Sequence, residues 1–182
     1  DDTVVVGARS EGSNATGVNG DQANNSASIS GAAYVFVREA GVWTQQAYLK
    51  ASNTGAGDLF GYRVGVSGEA VVVGAPQEDD NGANSGAVYL FLRTAGTWAQ
   101  HAYLNASNSN THDNFGRGVG ISGETVAVGA YFEDSGATGV NGDGANNDRT
   151  NSGAAYIFSF SSPDEDAPLI TCDSADGFWH AN

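Results

Sequence analysis

Val4-Val5-Val6-Gly7-Ala8 returns as Val71-Val72-Val73-Gly74-Ala75 and again as Val126-Ala127-Val128-Gly129-Ala130, at offsets of 67 and 55 residues. Gly31-Ala32-Ala33-Tyr34-Val35-Phe36 returns as Gly86-Ala87-Val88-Tyr89-Leu90-Phe91 and as Gly153-Ala154-Ala155-Tyr156-Ile157-Phe158, now at 55 and then 67. The offsets swap because an insertion separates the two segments in copies one and three and is missing from copy two. A self-similar period of this length marks a repeat architecture, in which each unit buries its apolar surface against its neighbours.

Two further segments complete the unit. Trp43 with Ala47-Tyr48-Leu49 matches Trp98 with Ala102-Tyr103-Leu104, and Asp58-Leu59-Phe60-Gly61 matches Asp113-Asn114-Phe115-Gly116. Each segment is short, rich in β-branched and aromatic residues, and bounded by Gly, Ser or Asn, which describes a strand. Ser67-Gly68-Glu69 and Ser122-Gly123-Glu124 carry the residues of tight hairpin turns. The expected fold is therefore all-β: β-propeller-like blades of four antiparallel strands, about three repeats, open or completed by another chain. A β-sandwich with duplicated hairpins is the alternative, though sandwich cores do not normally repeat one four-strand string.

Composition agrees. The 182 residues include 26 Gly and 3 Pro, and only 15% are charged, which suits many short strands and little helix. Seven Lys and Arg against 21 Asp and Glu give a net charge of -14, which repels phosphate backbones and anionic membranes. Nucleic acid is excluded as a partner on this ground. No apolar run is long enough to span a membrane, and the first residues lack the pattern of a signal peptide. The single cysteine, Cys172, admits no intrachain disulfide and reads as a buried bystander.

Phe60-Gly61 followed by Gly74-Ala75-Pro76 carries a further meaning: the chain resembles the FG-GAP repeats of integrin α-subunits and their bacterial relatives. Copy two holds the motif intact. Copy three reads Phe115-Gly116 then Gly129-Ala130-Tyr131, and copy one keeps only Gly7-Ala8-Arg9. The resemblance implies propeller blades serving adhesion, ligand binding or assembly outside the cell. It also implies a calcium loop between Phe-Gly and Gly-Ala-Pro, but here that stretch is Val64-Gly65-Val66-Ser67-Gly68-Glu69, whose one carboxylate cannot supply six to eight oxygens.

The insertion is the better candidate for calcium. ATGVNGDQANN (15–25) and ATGVNGDGANN (137–147) agree at 10 of 11 positions, and Asn19, Asp21, Asn141 and Asp143 alternate as oxygen ligands do in calcium loops. The same residues also make turns, because Asn and Gly accept left-handed backbone and Asp bonds its own main chain. Catalysis finds little support. His101, His112 and His180 fall in unrelated parts of the unit, and no nucleophile elbow occurs. Glu78-Asp79-Asp80 and Asp164-Glu165-Asp166 read as solvated loops, and Trp43 and Trp98 as packing between blades.

The repeats divide as 1–58, which lacks its first strand; 59–113; 114–175; and 176–182, where Asp176-Gly177-Phe178 echoes Asp58-Leu59-Phe60. An incomplete blade exposes a strand edge that pairs readily. The expected assembly surface is thus Val4, Val5 and Val6 at one end, complemented by Asp176, Phe178 and Trp179 from the other, which closes the chain on itself or joins copies into a homo-oligomer or filament, with another extracellular protein as the alternative partner. The expected function is a non-enzymatic extracellular or cell-surface binding, adhesion or self-assembling protein. An accessory propeller of a larger secreted enzyme or adhesin is the alternative.

Overall fold

Hairpins set the strand boundaries. Ala40-Gly41 and Ala95-Gly96 both take positive φ at both positions (47° and 84°; 48° and 78°), the backbone of a tight two-residue turn whose twist matches that of its strands. The computed structural model describes residues 2–161 and the backbone of residues 178–180. All its regular elements are strands: β1 (Thr3–Ala8), β2 (Ala32–Glu39), β3 (Val42–Leu49), β4 (Arg63–Ser67), β5 (Ala70–Ala75), β6 (Ala87–Thr94), β7 (Thr97–Leu104), β8 (Phe115–Ser122), β9 (Thr125–Ala130), β10 (Gly139–Val140), β11 (Ala154–Ser159) and β12 (Phe178–His180).

They form three antiparallel sheets, ordered β1-β2-β3, β4-β5-β6-β7 and β10-β12-β11-β9-β8. The sheets are unclosed and have the form of propeller blades. Blade one consists of three strands, so no counterpart of β4 precedes β1 among the described residues. The repeat is carried down to its irregularities: a register shift lies between Val35 and Phe36 where β2 meets β3, and between Leu90 and Phe91 where β6 meets β7.

Near-continuous apolar strands are explained by burial on both faces. One face of blade one (Val5, Ala33, Val35) packs on Val71, Val73, Tyr89 and Phe91 of blade two. The opposite face of blade two (Val72, Val88, Leu90) packs on Val126, Val128 and Tyr156 of blade three. Phe60 and Phe115 anchor these cores edge-on to ring pairs, Phe60 to Tyr89 and Phe91 at 5.2 and 6.2 Å, Phe115 to Tyr156 and Phe158 at 5.4 and 6.0 Å.

The last strand departs from expectation. Ala155 pairs with Trp179 and Tyr156 with Phe178, just as Ala33 pairs with Leu49 and Tyr34 with Tyr48 in blade one. Phe178 and Trp179 therefore occupy the places of Tyr48 and Leu49, as the fourth strand of their own blade, instead of beginning a further repeat beside Val4–Val6. The pairing with β11 decides the register, and the echo of Asp58-Leu59-Phe60 does not. Asp176, Cys172 and the acidic run 164–166 lie outside the described residues.

Candidate functional site

In the insertion, the candidate calcium loop, side-chain oxygens accept from main-chain N–H groups. The Tyr48 N–H donates to Asn19 Oδ1 (2.9 Å), and the Ala23 and Ala145 N–H groups donate to Asp21 Oδ1 and Asp143 Oδ1 (2.9 and 3.0 Å). Asn19 and Asn141 sit in left-handed backbone, at φ 57° and 56°. Among the described residues no three His, Cys, Asp or Glu side chains cluster as metal ligands. The main chain of the insertion reaches the outer strand of its own blade. Val18 bridges Leu49 in blade one, and β10 pairs Val140 with Trp179 in blade three. The Asn19 and Lys50 N–H groups donate to Tyr48 O and Gly17 O, each at 2.8 Å. The insertion thus adds a short strip of backbone pairing along the outer strand, the fourth in blade one and the fifth in blade three among the described residues.

Val4 and Val6 are 42% and 47% exposed, with Trp43 at 46%, whereas Val5 faces the blade one–blade two core. In blade two the equivalent residues, Val71, Val73 and Trp98, are at most 4% exposed. The expected packing role of tryptophan thus holds for Trp98, whose Nε1 donates to Gln46 of blade one at 2.7 Å. Trp43 is left uncovered, with Arg38 stacked over it at 5.5 Å.

The joints between blades hold the chemistry. At the first, Asn53 donates to Glu78 Oε1 (2.9 Å) and Asp80 Oδ2 (2.7 Å) and accepts from the Tyr89 hydroxyl (2.7 Å). The Tyr103 hydroxyl donates to Glu78 Oε2 at 2.8 Å. At the second, Asn108 donates to Glu133 Oε1 (2.7 Å) and accepts from the Tyr156 hydroxyl (2.7 Å). Glu78 and Glu133 are buried, so the solvated loop expected around Glu78 is corrected. A carboxylate can be buried there because several donors converge on it. Copy one satisfies its equivalent, Glu11, from within: Tyr48 and the fully buried Lys50 donate to Oε2 at 3.0 and 3.1 Å, and Lys50 also donates to Ser30 and Gly31 O. The signal was in the sequence. A Glu stands three residues after Gly-Ala in all three copies, and Ala51-Ser52-Asn53 recurs as Ala106-Ser107-Asn108.

Burial, first of all, raises the carboxyl pKa of Asp58 and Glu78, and pushes that of Asp113 up to about 6, with Glu133 and Asp134 adding to it and the Asn110 N–H opposing. Burial likewise lowers the Lys50 ammonium, against the pull of Glu11.

Glycine lets the joints close. A Cβ on Gly7 or Gly74 would stand 2.1 Å from the carbonyl oxygen of Gly61 or Gly116 in the next blade, and one on Gly61 or Gly116 would strike Ala32 O or Ala87 O. The Phe-Gly strand also pairs in parallel with the segment before β2 or β6: Gly31 bridges Phe60 and Gly86 bridges Phe115. Phe-Gly and Gly-Ala are therefore the two halves of one contact. Comparison with known families agrees. A family model described as FG-GAP repeat matches residues 43–91 and 98–158.

The chain belongs to the FG-GAP repeat family.

No curated protein matches it. Each FG-GAP match begins in the outer strand of one blade and ends in the third strand of the next, so the family pattern spans the joint. Repeats of this family form propeller-like binding or adhesion modules, are generally non-enzymatic and typically occur in extracellular or surface proteins. Among the described residues no helix is long and apolar enough to cross a membrane. A cleft of about 280 Å³ opens at the hairpin rim between blades one and two, lined by Asp2, Arg38, Gln46, Glu69 and Arg93 among others. Arg38 pairs there with Asp2 at 2.6 Å, and Arg93 pairs with Glu69.

Proposed function

We propose that this chain is a non-catalytic FG-GAP module of an extracellular or cell-surface protein, which binds or adheres through the open ends of its blade stack. One observation carries the reading. Val4, Val6 and Trp43 occupy positions that are buried in blade two, yet they face outward on blade one. A solvent-facing copy of an interior surface is a docking surface in a soluble protein. The buried carboxylates support a non-catalytic role, because Glu78 and Glu133 join neighbouring blades through matched hydrogen bonds and Glu11 is bound within blade one by Tyr48 and Lys50.

Head-to-tail association of copies belongs to the same reading, with the open face of blade one as the sticky element. We propose that the insertion acts as an edge strip, since Asn19, Asp21 and Asp143 direct side-chain oxygens to main-chain N–H groups.

Light scattering on a size-exclusion column tests the reading. The expected result is a mass that rises above the 18.6 kDa of one chain as concentration increases, and falls back to it in the Val4→Asp, Val6→Asp double variant. A wild-type mass of one chain at every concentration would contradict it.

A further inference from the structure

We infer that Lys50 and Glu11 condense into an isopeptide bond inside blade one. This modification goes beyond the binding role proposed above and does not rest on it. Lys50 Nζ has three acceptors for its three N–H groups: Glu11 Oε2 at 3.1 Å, Ser30 Oγ at 2.8 Å and Gly31 O at 2.6 Å. Ser13, Ser30, Tyr48 and Lys50 are at most 1% exposed, and the Glu11 side chain is 13% exposed. An ion pair in such surroundings carries a desolvation cost that the attraction of its charges only partly offsets. Burial accordingly lowers the Lys50 ammonium against the pull of Glu11. Condensation removes both buried charges at once, and the partly open side of Glu11 gives the released water a way out.

The hydrogen bonds place every part of the reaction. Moving one proton from Nζ to Glu11 Oε2 turns the ion pair into a neutral amine and a carboxylic acid. The two remaining N–H groups stay on Ser30 and Gly31, which leaves the amine lone pair directed at Glu11. The carboxyl is held as an electrophile, because the Ser13 N–H donates to Oε1 at 2.8 Å and the Tyr48 hydroxyl donates to Oε2 at 3.0 Å. Nζ forms a bond to Cδ with its lone pair, negative charge passes to Oε1 against the Ser13 N–H, and the Cδ–Oε2 bond breaks. Oε2 leaves as water with the proton already moved to it and a second one from Nζ, relayed by the Tyr48 hydroxyl. Of the three ammonium hydrogens, two end in the water and one on the amide nitrogen. Nothing is oxidised or reduced, and fixed contact between the two groups supplies the proximity that the same reaction lacks in solution.

Copy two has the same carboxylate without the nucleophile. Its Tyr103 hydroxyl donates to Glu78 Oε2 at 2.8 Å, as Tyr48 donates to Glu11, but Asn105 stands in the place of Lys50 and the Asn53 amide reaches Glu78 from the preceding blade. An amide nitrogen does not attack a carboxyl group. The bond in blade one ties the residue three past the end of β1 to the residue just past β3, the two edge strands of that sheet. The loop it closes holds the insertion and β2, so the cross-link restricts the unfolded chain as a disulfide would.

Mass spectrometry of the full chain, stored folded and then denatured, reads the bond. The expected result is an intact mass one water below that of the sequence. Trypsin does not cut after an acylated lysine, so the digest is expected to contain residues 10–38 joined to residues 39–63, while residues 64–93, which include Glu78, keep their full mass. Lys50→Met is expected to retain the water. Because the joined peptide locates the bond in the wild-type chain, the result does not depend on that variant folding. An intact mass equal to that of the sequence, with residues 39–50 and 51–63 recovered as separate peptides, overturns the inference. A loss of water that persists in Lys50→Met, or that maps to another peptide, overturns it too. Neither failure alters the light-scattering result or the noncovalent Lys50–Glu11 pair.

Discussion

Lys50 is the residue at which copy one departs from its siblings, where Asn105 stands in copy two. Its ammonium is fully buried and is held by Glu11, Ser30 and the Gly31 carbonyl. In the other copies Asn53 or Asn108 of the preceding blade supplies the donor to the equivalent Glu. Lys50 thus lets blade one satisfy its carboxylate without a neighbour. Removing one member of such a pair leaves the other charge buried and uncompensated, at about 3 kcal/mol. Lys50→Met is expected to lower stability by that order in urea unfolding, and Glu11→Gln added to it to recover part of the loss, which a double-mutant cycle measures. If the two losses simply add, the pairing is not what stabilises the site. This role was hidden in the sequence because Lys50 has no repeat partner, whereas the buried Glu positions do recur and become legible once aligned three residues after Gly-Ala.

Among the elements, strands β1 to β9 and β11 follow from repetition of apolar segments, because burial on both faces leaves a continuous hydrophobic run. The insertion was harder to assign. Asn-Gly-Asp serves a turn and a calcium loop equally well, so the sequence alone does not choose between them. Strand β12 was misplaced for a related reason: three residues echoing Asp-x-Phe carry less information than the cross-strand pairing of Tyr156 with Phe178. If the insertion is an edge strip, millimolar calcium leaves the melting temperature unchanged, while Asn19→Ala lowers it, having lost the Tyr48 N–H partner and the residue best suited to φ 57°. The expected cost is about 1–2 kcal/mol. A calcium-dependent rise of several degrees that Asp21→Asn removes would contradict the strip.

For the whole molecule, stability resides in two joints that place raised-pKa carboxylates between sheets. Asp113 titrates at about 6 when folded and near 3.8 in its ordinary state, so the folded chain holds more protons than the unfolded one between those values. Stability therefore increases as pH falls from 7 towards 4, with Asp58 and Glu78 acting in the same direction. Thermal unfolding followed across pH 4–7 is expected to show this rise, and Asp113→Asn to flatten it. A melting temperature that falls steadily below pH 7 would contradict it. The stack as a whole was legible as three blades because the sequence repeats. The joints were not, since a joint is made by Phe-Gly and Gly-Ala segments that belong to different copies.

The central claim is that Phe-Gly strands are added in parallel to the preceding blade, locking three sheets into one body. Residue-resolved amide hydrogen exchange reads this directly, because Leu59, Phe60, Asn114 and Phe115 donate only across the joints. The account predicts that these four amides exchange as slowly as those of the buried strands β5 and β6, with free energies close to that of global unfolding. Exchange at the rate of the hairpin tips, while β5 and β6 stay protected, would show the blades to be separate and contradict the account.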